Sequence, residues 1–175
     1  STAELYAKAY LGKGSPIDAL TVNPYLGMDS IQPFIEHCVQ NEKGIFVLVK
    51  TSNPGSGDLQ NLPLRKGTLH EHLATIVQYL GMSHLGEKSH LSCIGAVIGA
   101  TYPEELRSLR NLMPNTPFLI PGFGTQGGTV DDVRYGFLPN DTGAVVHTTR
   151  SVLYASHGED WQKKAQESAE KNAFA

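Results

Sequence analysis

Residues 120–128 read IPGFGTQGG, four glycines, a proline and a single amide side chain between an apolar run, TPFLI, and a short helical pattern, TVDDVRYGF. A glycine-rich turn at a strand end lets backbone N–H groups approach an anion with no Cβ in the way. Further along, Arg150 follows the apolar run GAVVHT, where its guanidinium fork can hold phosphate oxygens bidentately. A bare turn is by itself more often only a turn, and a lone arginine is usually solvated. On consecutive strand ends the two together point to phosphate binding. His70 and His72 stand two apart in a helical pattern and face different ways, so no metal site is expected there. His147 ends a strand, where it can touch ligand or be satisfied internally. The chain shows no nucleophile-turn signature, and GFGTQGG lacks the spacing of a dinucleotide fingerprint.

These residues need elements to position them. STAELYAKAY opens with Ser1 and carries Glu4 three residues on, predicting a capped helix to about Lys13. IDALTVN reads as a strand. Asp29 is placed to cap a helix whose apolar positions are Ile31, Phe34, Ile35, Cys38 and Val39. GIFVLVK is a second strand, followed by a long loop and a helix marked by Leu69, Leu73, Ile76, Val77 and Leu80. CIGAVIGA is a third strand, and Thr101, Pro103, Glu104 and Glu105 start the next helix. TPFLI and GAVVHT are the fourth and fifth strands, and DWQKKAQESAEKNAFA is a polar helix.

Alternating strands and helices predict βαβ units on a parallel sheet, with strands apolar on both faces. An open doubly wound sheet and a (β/α)₈ barrel both fit. In either, the site lies in the loops at the carboxyl ends of the strands. Those loops read NPYLGMD, TSNPGSGDLQ, ATYPEE, PGFGTQGG and TTRSVLYA, small and polar throughout. In barrels, the loops after strands seven and eight often build a phosphate site, which matches the last two.

Composition narrows the function classes. The chain has 175 residues, 40% of them apolar, enough for one compact domain. A net charge of −3 gives no basic footprint for nucleic acid. The run IFVLV is far too short to cross a bilayer. Cys38 and Cys93 lie in apolar segments and are expected as free buried thiols, and no secretory signal is read at the start, so a cytoplasmic protein is expected.

The stretches DALTVNPYLGMDSIQPF, FVLVKTSNPGSGDLQ, GAVIGATYPEELRSLR, FLIPGFGTQGG and TRSVLYA, in this order over nearly the whole chain, resemble orotidine 5′-monophosphate decarboxylase. The likeness is to the branch found in many bacteria, distinct from the fungal and enteric form. The resemblance implies an α/β fold, a (β/α)₈ TIM barrel. It also implies a homodimer with sites near the subunit interface, and conversion of orotidine 5′-monophosphate to UMP with no metal or cofactor. The family's catalytic signature, Asp-x-Lys-x-x-Asp, closes the third strand and is expected just before Ser1. Residues 1–175 are therefore expected to be a single domain holding strands four to eight, without catalytic residues of their own.

Binding residues follow by resemblance. Thr2 is similar to a threonine that approaches the ligand of the neighbouring subunit, and Asn23 faces the site. Ser52 resembles the serine that hydrogen-bonds the pyrimidine amide edge. Pro121 opens the phosphate loop, Gln126 resembles the glutamine bridging phosphate and base, and Arg150 resembles the phosphate arginine. Thr149 stands where many relatives have Gly or Ser, adding a Cβ beside the phosphate. A non-catalytic phosphate-ligand binding remnant and another phosphate-binding barrel enzyme are the alternative readings.

Overall fold

The computed structural model describes residues 1–122 and 129–173. Its centre is a five-stranded parallel sheet of β1 (Ala19–Val22), β2 (Gly44–Lys50), β3 (Ile94–Ile98), β4 (Phe118–Pro121) and β5 (Ala144–His147), paired in that order. Each strand pairs with the next in sequence, so all carboxyl ends share one edge. This succession is that of a barrel wall, not of a doubly wound sheet, whose strand order reverses.

The helices are α1 (Thr2–Leu11), α2 (Gln32–Asn41), α3 (Gly57–Gln60), α4 (Leu69–Gly81), α5 (Pro103–Leu112), α6 (Val130–Val133), α7 (Arg150–Leu153) and α8 (Trp161–Ala173), of which α1, α2, α4 and α5 pack on the strands. Alternate strand residues meet them. Ile45, Val47 and Val49 of β2, Ile94, Ala96 and Ile98 of β3, and Phe118 and Ile120 of β4 form one core with Ile31, Phe34, Ile35 and Cys38 of the α2 segment and Leu106 and Leu109 of α5. The central strand β3 is buried on both faces, as parallel strands should be. The outer strands depart from that expectation. Ala19 and Thr21 of β1 and Val145 and His147 of β5 are exposed, because each outer strand has a neighbour on one side only.

Several boundaries differ from the sequence reading. α1 is capped by Ser1, whose Oγ accepts the Glu4 N–H at 3.2 Å, and it stops at Leu11 rather than Lys13. Asp29 does not cap α2. It lies in a one-turn 3₁₀ segment, Met28–Ser30, and α2 starts after Ile31 with Pro33 in its first turn. Val39, expected inside, is 51% exposed, because the buried stripe of α2 runs through Phe34, Ile35 and Cys38 only. The cap position of α5 is Tyr102, one residue after Thr101. In α4 a full capping box joins Thr68 and Glu71, and the bond from Thr68 holds the Glu71 carboxyl below its usual range. Its buried face includes His70, while His72 is exposed, so the two histidines do diverge. Cys38 is buried and Cys93 only partly so, and both thiols are free.

At the amino edge of the sheet sits a group that the sequence reading passed over. Arg110 is buried, and donates to four backbone carbonyls: Nε to Gly136 at 2.9 Å, Nη1 to Met113 at 2.8 Å and Thr116 at 2.9 Å, and Nη2 to Gly143 at 2.8 Å. Its guanidinium also lies 3.5 Å from the Phe118 ring centroid. Burial pushes its pKa down, while the four acceptors and the ring favour the cation. Arg110 thus ties the segments entering β4 and β5 to the end of α5.

Candidate binding rim at the carboxyl edge of the sheet

The rim starts at the end of β2. A bulge between Leu48 and Lys50 shifts the register so that Lys50 pairs with Ile98, a core residue of β3. The bulge turns Lys50 into the protein, where it is 1% exposed. Its Nζ donates to Asn61 Oδ1 at 2.5 Å, lies 3.3 Å from Glu105 Oε2 and 4.9 Å from the Tyr102 ring centroid. The glutamate contact is an ion pair off hydrogen-bonding geometry.

Beyond the bulge the chain is held from both sides. The Thr51 N–H donates to Gln60 Oε1 at 2.9 Å, and Gln60 Nε2 donates to Thr51 Oγ1 at 2.8 Å. Thr51 Oγ1 donates in turn to Asn53 Oδ1 at 2.6 Å. Ser52 then packs against Gly99, the residue after β3. A Cβ at Gly99 would stand 2.7 Å from Ser52 Cβ and 2.9 Å from its Cα and N. The Gly99 N–H donates to the Lys50 carbonyl at 2.8 Å and the Ala100 N–H to the Pro121 carbonyl at 2.9 Å. The ends of β2, β3 and β4 are therefore laced together, and Ser52 and Pro121 flank the end of β3.

Pro121, Thr149 and Arg150 lie on the same edge, at the ends of β4 and β5. Pro121 closes β4 opposite His147, and Gly122 follows at φ 97°, a left-handed conformation suited to glycine. Gln126 lies outside the described residues. Thr149 precedes α7, and its Oγ1 is 2.9 Å from His147 Nε2, so the strand-end histidine has a local partner. Arg150 is the exposed first residue of α7. The helix α8 braces this turn: Ser168 Oγ donates to the Ser151 carbonyl at 2.7 Å and Asn172 Nδ2 reaches Ser151 Oγ at 3.4 Å. At the opposite end of the sheet, Asn23 Oδ1 accepts the Tyr25 N–H at 3.0 Å and caps a 3₁₀ turn. Thr2 and Asn23 line one groove with Tyr6 and Leu26. The structure thus brings Ser52 and Pro121 close to one strand end, sets Thr149 and Arg150 beyond them, and places Thr2 and Asn23 together at the far side.

Gln60 and Lys50 were missed as site-building residues. Lys50 had a signal, a charge ending the apolar run GIFVLVK; Gln60 had none beyond its place in TSNPGSGDLQ. Among the described residues no cluster of histidine, cysteine and carboxylate side chains could hold a metal ion, and no helix is long and apolar enough to cross a membrane.

Comparison with known proteins places this architecture. Orotidine 5′-phosphate decarboxylase of Rhodopirellula baltica is 48% identical over 174 residues, covering 96% of this chain and 57% of the relative. That of Caldicellulosiruptor bescii is 43% identical over 165 residues, covering 89% of this chain and 53% of its own. The structure of Leishmania donovani OMP decarboxylase superposes with a TM-score of 0.75 at 31% identity, covering all of this chain and 64% of that one. The chain thus spans a little over half the length of these two curated relatives. Its fold is α/β, of the TIM-barrel type of these decarboxylases. The model of the "Orotidine 5′-phosphate decarboxylase / HUMPS family" matches residues 1–165, and the chain belongs to that family.

Proposed function

We propose that the protein is an orotidine 5′-phosphate decarboxylase, releasing CO₂ from orotidine 5′-monophosphate to give UMP, and that this chain carries its base- and phosphate-binding loops. The observation that carries the reading is the rim: the strand ends bearing Ser52, Pro121, Thr149 and Arg150 lie on one edge of a parallel sheet, in a chain of this family. On this reading residues 1–175 supply strands four to eight of the barrel. The Asp-x-Lys-x-x-Asp array belongs to the part of the relatives that this chain does not span. A cytoplasmic homodimer, with Thr2 reaching toward the neighbouring subunit's ligand, completes the proposal.

The division of labour is physical. Loss of CO₂ from C6 leaves a carbanion with little delocalisation, which a fixed ammonium stabilises and then protonates. This chain supplies binding remote from that carbon. Ser52 holds the amide edge of the base, and Arg150 with the loop opened by Pro121 holds the phosphate. Binding energy gained there is used at the reacting centre.

The test is CO₂ release from orotidine 5′-monophosphate by the protein at the full length of its relatives. Arg150→Ala should lower kcat/KM about ten- to a hundredfold, the worth of a charge-assisted bond, and leave the phosphate-free nucleoside almost unaffected. Absence of decarboxylation in the wild type, or equal losses on both substrates, refutes the respective claim.

A further inference from the structure

The Thr51 N–H cannot be served by the sheet. The bulge between Leu48 and Lys50 ends regular pairing, and the next ladder bond, from Gly99 N–H to the Lys50 carbonyl, leaves β2 one residue earlier. A strand-end amide left without a partner and shielded from water is destabilising. Here the Gln60 side chain, half-buried at the end of α3, both accepts from that amide at 2.9 Å and donates to the hydroxyl of the same residue at 2.8 Å. A carboxamide is the group that can offer both at once.

Gln60 is itself fixed. Its carbonyl lies 2.8 Å from Nδ1 of the buried His70 on α4, which must carry the proton to donate there. Its neighbour Asn61 accepts from the buried Lys50, which in turn faces Glu105 of α5. One polar chain therefore runs from α4 through the end of α3 to the end of β2 and on to α5, and the residue it clamps immediately precedes Ser52. On its other side Ser52 is pinned by Gly99.

We propose that Gln60 is a positioning residue for base recognition: bracketing Thr51, it sets where Ser52 stands against the pyrimidine. The inference rests on the role given to Ser52 above. It assigns the segment after TSNPG a task, that of a strap holding the base-binding serine from behind. Gln60 touches no ligand in this account and acts through Thr51.

A purely structural role would weaken every ligand alike; a positioning role acts on the base alone. Dissociation constants for UMP and for ribose 5-phosphate, which lacks the base, separate the two. They are measured on the protein at the full length of its relatives, for wild type, Gln60→Ala, Thr51→Val and Ser52→Ala. Gln60→Ala should weaken UMP about five- to tenfold and ribose 5-phosphate less than about twofold, the loss of two neutral hydrogen bonds behind the serine. Thr51→Val keeps the backbone bond and loses the hydroxyl one, so about a two- to threefold loss, again confined to UMP, is expected. It carries the test should Gln60→Ala fail to fold. Equal weakening of both ligands, or an unchanged UMP constant in Gln60→Ala and Thr51→Val while Ser52→Ala loses affinity, overturns the positioning role. An unchanged ratio in Ser52→Ala overturns the base contact of Ser52, and with it the inference.

Discussion

Gly99→Ala probes the rim from the side opposite Gln60. The added methyl would stand 2.7 Å from Ser52 Cβ and 2.9 Å from Ser52 Cα and N. Carbon atoms in contact prefer about 3.5–4.0 Å, so the two strand ends must part by about 0.8–1.3 Å. Neither end yields readily. Gly99 is bonded to Lys50 and buried, and Ser52 follows the clamped Thr51. Overpacking of this kind costs about 1–3 kcal/mol of stability. A serine displaced by that distance moves an ordinary hydrogen bond of about 2.9 Å to about 3.7–4.2 Å, beyond its useful limit, so UMP affinity should fall about three- to tenfold. The assay is calorimetric titration with UMP beside thermal unfolding, with Gly55→Ala as the control. Gly55 lies in the same loop, but a Cβ there meets nothing closer than Asp58 Oδ2 at 3.5 Å. Wild-type UMP affinity in Gly99→Ala would refute the claim that backbone approach at this glycine sets Ser52.

Two further predictions concern stability. Arg110→Met should lower unfolding free energy by about 3 kcal/mol or more, because buried carbonyls of Gly136, Met113, Thr116 and Gly143 lose their donors. Urea denaturation measures it, and UMP affinity per folded molecule should not change. Cys38 should make stability fall in alkali. Burial, chiefly, and the neighbouring Cys93 push its thiol from 9.0 up to about 12. The unfolded chain therefore releases the proton first, and stability drops as pH rises through that window, by at most about 1.4 kcal/mol per pH unit. Cys38→Ala should flatten the stability curve between those limits relative to wild type; parallel curves would show that the thiol does not contribute.

The strands were legible because each is a short apolar run between turn residues, and a buried parallel sheet asks for little more. The long helices were legible from their spacing, and α4 added a capping box. Of the four-residue helices only α6 was legible, within TVDDVRYGF; α3 and α7 hold too few positions for a period to show. The face of Lys50 was hidden for a different reason. Strict alternation sets it with Phe46 and Leu48, away from the helices, and only the bulge turns it toward Glu105. At the rim, what was legible is the residue types at the strand ends. Several of the partners that hold those residues come from segments nine or more positions away, as with Gln60 and Thr51 or α8 and Ser151. No local pattern reports such a meeting.

The two edges of the sheet divide the tasks. At the amino edge, the Arg110 guanidinium closes four carbonyls and Ser92 Oγ accepts the Ile94 N–H at 2.9 Å, side-chain bonds that serve the backbone. At the carboxyl edge, the side chains of Gln60 and Ser168 hold the backbone of Thr51 and Ser151 from behind, and the bare backbone of Gly99 packs against Ser52. Gln60 and Ser168 each hold a residue next to a group proposed to touch the nucleotide, and Gly99 lies directly against one. Substitutions at the amino edge should register as unfolding. Those at the supports should register in ligand discrimination, because what they change is where a neighbouring residue stands.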